Sequence, residues 1–189
     1  MAVEGIPETG LELTIAVPDA AVAAAFYAAA FGASEHARYV VPDHPKSVGP
    51  VKAVHMHLGG IALHVSTANP RTAGTTDRRG GRTPRMLRGF STVFTLRVDD
   101  LDAAFARAVA AGARPVDPPQ EAEAWGDRFA LVEDPFGHPW TLAQRLHTVS
   151  AAEHNRVWAG VRAQAQGKPA RAPRLERVAP QNVSSGTFR

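Results

Sequence analysis

Three histidines in one short stretch are the residues of this 189-residue chain best suited to chemistry. They flank Gly59-Gly60, a pair that strongly indicates a two-residue hairpin turn. Such a turn places His55 opposite His64 on the neighbouring strand and leaves His57 on the same face. Cross-strand neighbours have Cβ atoms about 5 Å apart, close enough to share a ligand. The imidazoles therefore either hold a divalent metal ion (zinc, iron, nickel or manganese) or form the polar wall of a pocket. The second interpretation is favoured, so no metal or other cofactor is predicted.

The strands that position these histidines have two unlike faces. Val54, Met56 and Leu58 alternate with the histidines and form an apolar stripe on the opposite side. An earlier segment, residues 11–17, shows the same alternation of apolar and polar residues. Glu12 lies on its polar side and is a further candidate for the histidine face.

A repeat organises the rest of the chain. Val93–Ala113 echoes the strand–Asp–helix–Gly order of Glu12–Ala33, and Val17 and Val98 correspond at an offset of 81 residues. The pattern predicts helices at about 20–31 and 101–111, each with an Asp cap and a Gly stop. After the second helix, Trp125–Leu142 reads as a strand, an Asp-Pro-Phe-Gly turn and a second strand. The chain is thus predicted to be α+β, with two tandem βαβββ units.

The predicted organisation is one domain at 11–160 with an extension on each side. Ser150 and Glu153 have the spacing of a capping box and indicate a terminal helix. The predicted segments are an N-terminal extension at 1–10, unit one at about 11–70, a basic linker at 71–89, unit two at 90–145, the terminal helix at about 150–166 and a disordered basic tail at 167–189.

Charge and composition exclude several classes of protein. The formal net charge is +3, but residues 168–189 alone carry five Lys or Arg against one Glu. The rest of the chain sums to −1, so nucleic-acid binding is not predicted. There is no cysteine for disulfide or thiolate chemistry, and no apolar run approaches the length of a membrane helix. We therefore expect a cytoplasmic protein with no membrane partner.

The stretch Trp125–Leu142 also carries a family resemblance. Its W-G-D-R loop and D-P-F-G-H-P-W turn resemble the glyoxalase/bleomycin-resistance family of the vicinal oxygen chelate superfamily, and in particular the PhnB-like branch. The resemblance covers roughly residues 11–160. It implies a pocketed pair of mixed sheets with helices on the outer faces, and it implies a homodimer.

The resemblance also indicates where a metal would lie. Enzymes of the superfamily hold a divalent ion with His, Glu or Gln at the first and last strands of each unit. Those positions correspond here to Glu12, His64, Val93 and Thr141. A valine side chain has no lone pair, and a threonine hydroxyl is only a weak metal ligand. The usual metal site is therefore predicted to be incomplete.

The expected function follows from the remaining polar and aromatic residues. Thr95 and Arg97 share the face of Val93, and Trp125 offers an aromatic wall, whereas Trp140 is expected in the core. We expect a protein that binds a small, planar or hydrophobic molecule without chemistry. The alternative is a metal-dependent lyase, isomerase or dioxygenase that uses a non-standard site. The predicted ligand-binding residues are Glu12, His55, His57, His64, Thr95, Arg97, Trp125 and Thr141, and the alternative metal ligands are Glu12, His55, His57 and His64.

Overall fold

The computed structural model of the protein describes residues 11–40, 51–69 and 81–166. The first unit comprises β1 (Glu12–Val17), α1 (Ala20–Phe31), β2 (Ser34–Val40), β3 (Val51–Leu58) and β4 (Ile61–Thr67). The chain continues with α2 (Pro84–Leu87), β5 (Phe94–Arg97), α3 (Leu101–Ala110), β6 (Arg114–Ala122), a short 3-10 helix (Glu123–Trp125), β7 (Asp127–Glu133), β8 (Pro139–Arg145) and α4 (Ala151–Gln166). The predicted extension at 1–10, most of the basic linker and the predicted tail at 167–189 lie outside the described residues.

Each unit forms one four-stranded mixed sheet. The strand orders are β1-β4-β3-β2 and β5-β8-β7-β6. The first strand of each unit pairs in parallel with the last, and the other pairs are antiparallel. The predicted α+β fold of two βαβββ units is therefore confirmed.

The helix ends follow the local signals in the sequence. The Asp19 carboxylate accepts hydrogen bonds from the backbone N–H groups of Ala21 and Val22, and Asp100 caps α3 in the same way. Gly32 ends α1 in the left-handed conformation, with φ of 75°. These caps confirm that the repeat marks two equivalent helices.

The predicted buried face of α1 is partly wrong. The helical spacing of apolar residues in the sequence predicts a buried stripe that includes Val22 and Phe26, yet Val22 is 58% exposed. Because α1 is mostly alanine, apolar spacing does not single out one face of the helix. The aromatic side chains determine the orientation instead, since Phe26, Tyr27 and Phe31 are all buried.

Both units contribute to a single hydrophobic core. Helices α1 and α3 contact each other on the apolar sides of the sheets, away from the histidines. The ring of Phe31 from the first unit lies 4.6 Å from that of Trp140 in the second, which confirms Trp140 as a core residue. Burying both apolar faces together stabilises a pair of sheets that one unit alone would leave half exposed.

The outlying elements lie at the edges of this core. Strand β6 contains three prolines, which cannot donate to a ladder, and it accordingly forms an edge of its sheet. Helix α4 packs against the 3-10 helix. None of the described helices has the length and apolar character needed to cross a membrane.

Candidate functional site

The histidine face forms as the Gly59-Gly60 turn predicts. His55 pairs with His64 across β3 and β4, and their ring centroids are 4.3 Å apart. Strand β1 lies on the other side of β4 and brings in Glu12. The carboxylate Oε1 of Glu12 is 3.0 Å from His55 Nδ1 and 3.8 Å from His64 Nδ1. Side chains from three adjacent strands thus form one cluster.

Burial sets the electrostatics of this cluster. His55 is buried, while the His64 and Glu12 side chains are 28% and 30% exposed. Burial lowers the pKa of His64, the neighbouring His55 lowers it further, and Glu12 opposes both effects. The lowered pKa favours the neutral imidazole of His64, which has a ring nitrogen lone pair available.

The Glu12 carboxylate has an unsatisfied oxygen. Its Oε1 atom is buried and accepts no hydrogen bond of acceptable geometry from the described residues, although His55 approaches to ion-pair distance. An unsatisfied buried carboxylate oxygen is costly, because it has lost water without gaining a full replacement. This oxygen therefore marks the centre of the cluster as a place for a donor or a cation.

His57 lies apart from that centre. It pairs with Ala62, and its ring contacts that of His36, with centroids 4.1 Å apart and the ring planes tilted by 48°. His36 occupies a β-bulge in β2, between the paired residues Glu35 and Ala37. The sequence does not predict this place for His36, because nothing in the local pattern indicates a bulge at that position.

A second polar surface lies on the second sheet. Thr95 pairs with Thr141 across β5 and β8, and Arg97 follows on the same face. A groove of about 260 Å³ covers this surface. It is lined by Thr95, Arg97, Ala122, Trp125, Asp127, Phe129, Thr141 and Ala143.

Asp127 organises the charge in this groove. Its carboxylate forms two ion pairs. Oδ2 lies 3.1 Å from Arg97 Nη1, and Oδ1 lies 2.5 Å from Arg145 Nε. The adjacent charges in the sequence predict a local pair of Asp127 with Arg128, and this prediction is wrong, because successive residues of a strand point to opposite faces. Arg128 instead binds Asp102 on α3. Two guanidinium groups around one carboxylate leave a net positive charge beside the groove.

Trp125 forms an aromatic side of the groove. It ends the 3-10 helix and is 56% exposed. The ring of His154 from α4 lies 4.3 Å from the Trp125 ring and supports it. Gly126 follows with φ of 64°, and its carbonyl accepts the N–H groups of Leu146 and His147. These hydrogen bonds hold the backbone next to Trp125 in place.

The predicted site residues do not meet in one cavity. The groove is lined by the second unit alone, so Thr95, Arg97, Trp125 and Thr141 come together without Glu12 and the histidines. A second cleft of about 280 Å³ lies between the units, is mainly apolar and shares Thr95 and Arg97 with the groove. Leu13, Leu58, Ile61, Leu63, Phe94, Leu96 and Trp140 are among the residues that line it.

The usual metal site of the superfamily does not fit these residues. Val93 is 50% exposed and has no ligand atom, and Thr141 faces Thr95 across the second sheet. The two remaining positions, Glu12 and His64, lie on the first sheet. The four positions therefore cannot hold a metal ion in the usual way.

The sequence matches the Glyoxalase/Bleomycin resistance protein/Dioxygenase superfamily over residues 11–142. The chain therefore belongs to this superfamily. An uncharacterized protein of Mycobacterium bovis is 35% identical over 146 residues, which cover 77% of this chain and 90% of the relative. A relative from Mycobacterium tuberculosis has the same identity over 77% of this chain and 80% of its own length.

Solved structures resemble the fold. TioX from Micromonospora sp. ML1 is 25% identical, with a TM-score of 0.53 over 73% of this chain and 99% of TioX. A gene product of Arabidopsis thaliana is 29% identical, with a TM-score of 0.50 over 73% of this chain and 98% of its own. A glyoxalase-related enzyme from Fulvimarina pelagi, 20% identical with a TM-score of 0.51 over 74% of this chain and 89% of that enzyme, supports the fold alone.

Proposed function

We propose that the protein binds a small, planar and largely hydrophobic molecule in the groove of the second sheet. The observation that carries this proposal is the groove itself, which combines aromatic side chains with hydroxyls and one unbalanced positive charge. A concave, mostly apolar surface with a few convergent polar groups is the usual form of a ligand site. The binding is proposed to occur without chemical conversion of the ligand.

The side chains around the groove indicate the chemistry of the ligand. Trp125 and Phe129 can contact a flat ring, and Thr95 and Thr141 offer hydroxyls for hydrogen bonds. The Arg97 side chain is 57% exposed, so its guanidinium retains donors beyond its pair with Asp127. We therefore propose an aromatic ligand that carries a carboxylate, a sulfonate or a carbonyl group near Arg97.

Two narrower assignments belong with this proposal. We infer membership of the PhnB-like branch, supported by the W-G-D-R loop that contains Trp125 and Asp127. We also propose a homodimer, as the family resemblance implies. Exposed apolar residues, among them Leu11 and Ile61, are consistent with a partner surface.

The ligand proposal is tested with anilinonaphthalene sulfonate, a planar aromatic anion whose fluorescence rises on binding to apolar sites. We expect saturable binding by the folded protein, weakened at least tenfold by Trp125→Ala. Trp158→Ala is the matched control, because Trp158 is also exposed but lies on α4 outside the groove. Equal binding by wild type and Trp125→Ala would contradict the proposal.

A second candidate function is a metal-dependent enzyme with a non-standard site. It is favoured by one observation, the convergence of Glu12, His55 and His64 on the first sheet. Their ligand atoms lie within 4.8 Å of one another. Whether such a protein turns over a substrate is tested by activity after metal loading, with and without the Glu12→Gln change.

A further inference from the structure

We propose that Glu12, His55 and His64 bind one divalent transition-metal ion on the first sheet. The three residues come from the three adjacent strands β1, β3 and β4. Their side chains share one face, and hydrogen-bonded strands hold the backbone beneath them. The site differs from the usual superfamily site because His55 stands on a middle strand and the second unit contributes no ligand.

The spacing of the ligand atoms suits a metal ion. An ion about 2.0–2.2 Å from each nitrogen or oxygen places neighbouring ligand atoms about 3.0–3.5 Å apart. Glu12 Oε1 lies 3.0 Å from His55 Nδ1 and 3.8 Å from His64 Nδ1. The ligand atoms of all three residues lie within 4.8 Å of one another, so side-chain rotations that draw the two imidazoles towards the carboxylate bring the atoms into coordination.

The unsatisfied oxygen of Glu12 is an independent indication. This buried atom accepts no hydrogen bond of acceptable geometry from the described residues. A metal ion would satisfy it and would use the negative charge that the carboxylate brings to the cluster.

The ligand set indicates the class of metal. Two imidazoles and one carboxylate are typical of zinc and of similar first-row ions, whereas calcium and magnesium prefer oxygen ligands alone. Three protein ligands leave at least one coordination position for water or for another molecule. The partial exposure of Glu12 and His64 gives an ion access to the site.

The site is tested by titrating the full-length, tag-free protein with Co²⁺ and Zn²⁺. We expect one equivalent of Co²⁺ to bind with a visible absorption band and one equivalent of Zn²⁺ to displace it. The variants Glu12→Gln, His55→Gln and His64→Gln remove one ligand each. We expect each to lower the affinity by at least about 10–100-fold, since even partners beyond the ligands matter that much.

His57→Gln is the matched control, because His57 lies two residues from His55 on the same strand and face but outside the trio. We expect it to bind Co²⁺ as the wild type does. Circular dichroism identifies any variant that fails to fold. The wild type gives a second measurement that needs no variant, since a metal that binds only the folded state raises Tm.

Two results would overturn the proposal. One is wild-type protein that neither binds Co²⁺ stoichiometrically nor gains thermal stability with Zn²⁺. The other is Co²⁺ binding that is unchanged in folded Glu12→Gln and His55→Gln protein. Loss of Co²⁺ binding in His57→Gln as large as in those two variants would count in the same way, since either pattern assigns the metal to other residues. Failure of anilinonaphthalene sulfonate to bind the groove would leave this metal site unaffected, because the two sites lie on different sheets.

Discussion

The Tyr27 hydroxyl of the first unit donates a hydrogen bond of 2.8 Å to Asp134 Oδ2 of the second unit. Both side chains are almost wholly buried. The same carboxylate accepts the Trp140 indole N–H at 3.2 Å and the backbone N–H groups of Phe136 and His138 at 2.9 Å each. One aspartate therefore closes the β7–β8 turn and joins the two units at the centre of the core.

Replacing Asp134 with alanine is expected to destabilise the fold strongly. The change leaves a buried hydroxyl, an indole N–H and two backbone N–H groups without their acceptor. Each unsatisfied buried group costs about 1–3 kcal/mol, so we expect a loss of at least about 3 kcal/mol. Urea unfolding measures it, and Asp99→Ala is the control at an exposed aspartate. If Asp134→Ala lowers the free energy of unfolding no more than Asp99→Ala does, Asp134 does not join the units.

Tyr27 predicts a specific response to alkaline pH. Burial raises its pKa well above the usual value, and the nearby Asp134 charge raises it further. The folded protein therefore retains the phenolic proton after the unfolded chain has lost it. The resulting stability is fully present below about pH 10 and is lost as pH rises through the folded pKa, by up to about 1.4 kcal/mol per pH unit. Urea midpoints across this range should fall less steeply in Tyr27→Phe, and equal slopes would refute the assignment.

Gly126 is predicted to be intolerant of a side chain. A Cβ there would lie 2.4 Å from the His147 carbonyl oxygen, and the φ of 64° is itself unfavourable for other residues. Gly60→Ala is the matched control, because Gly60 has φ of 81° and open space around it. We expect Gly60→Ala to cost only about 1–2 kcal/mol of backbone strain. Gly126→Ala should cost more in thermal unfolding and should also weaken anilinonaphthalene sulfonate binding, because it displaces the turn that follows Trp125.

The homodimer remains a prediction. Sedimentation equilibrium at micromolar concentration should give twice the mass of the 20.1 kDa chain. A dilution series separates a stable dimer from weak association, since only the weak form dissociates over the range. A monomer at every concentration would contradict the prediction.

Local signals predicted much of the architecture. The turn residues Gly59-Gly60 are sufficient to predict the pairing of His55 with His64, because a two-residue hairpin leaves one register. Asp19 and Asp100 similarly mark where the helices begin. These features depend on residues close together in the chain, and such interactions can be inferred from one sequence.

The features that depend on distant residues could not be predicted in the same way. The buried face of α1 follows from aromatic contacts with the second unit, which alanine-rich spacing does not indicate. The groups around Asp127 come from two other strands, and the bulge at His36 has no local signal. The separation of the predicted residues into a histidine cluster and a groove likewise depends on how the two sheets pack.

The most direct test of the proposed function is to record ¹H–¹⁵N correlation NMR spectra of the full chain during titration with anilinonaphthalene sulfonate. If the groove binds planar anionic aromatics, the Trp125 indole signal and the amides of Phe129 and Thr141, which line the groove alone, will shift together and saturate. The amides of Leu13 and Leu63, in the apolar cleft, will stay in place. Shifts confined to Leu13 and Leu63, or none at Trp125, would contradict the account.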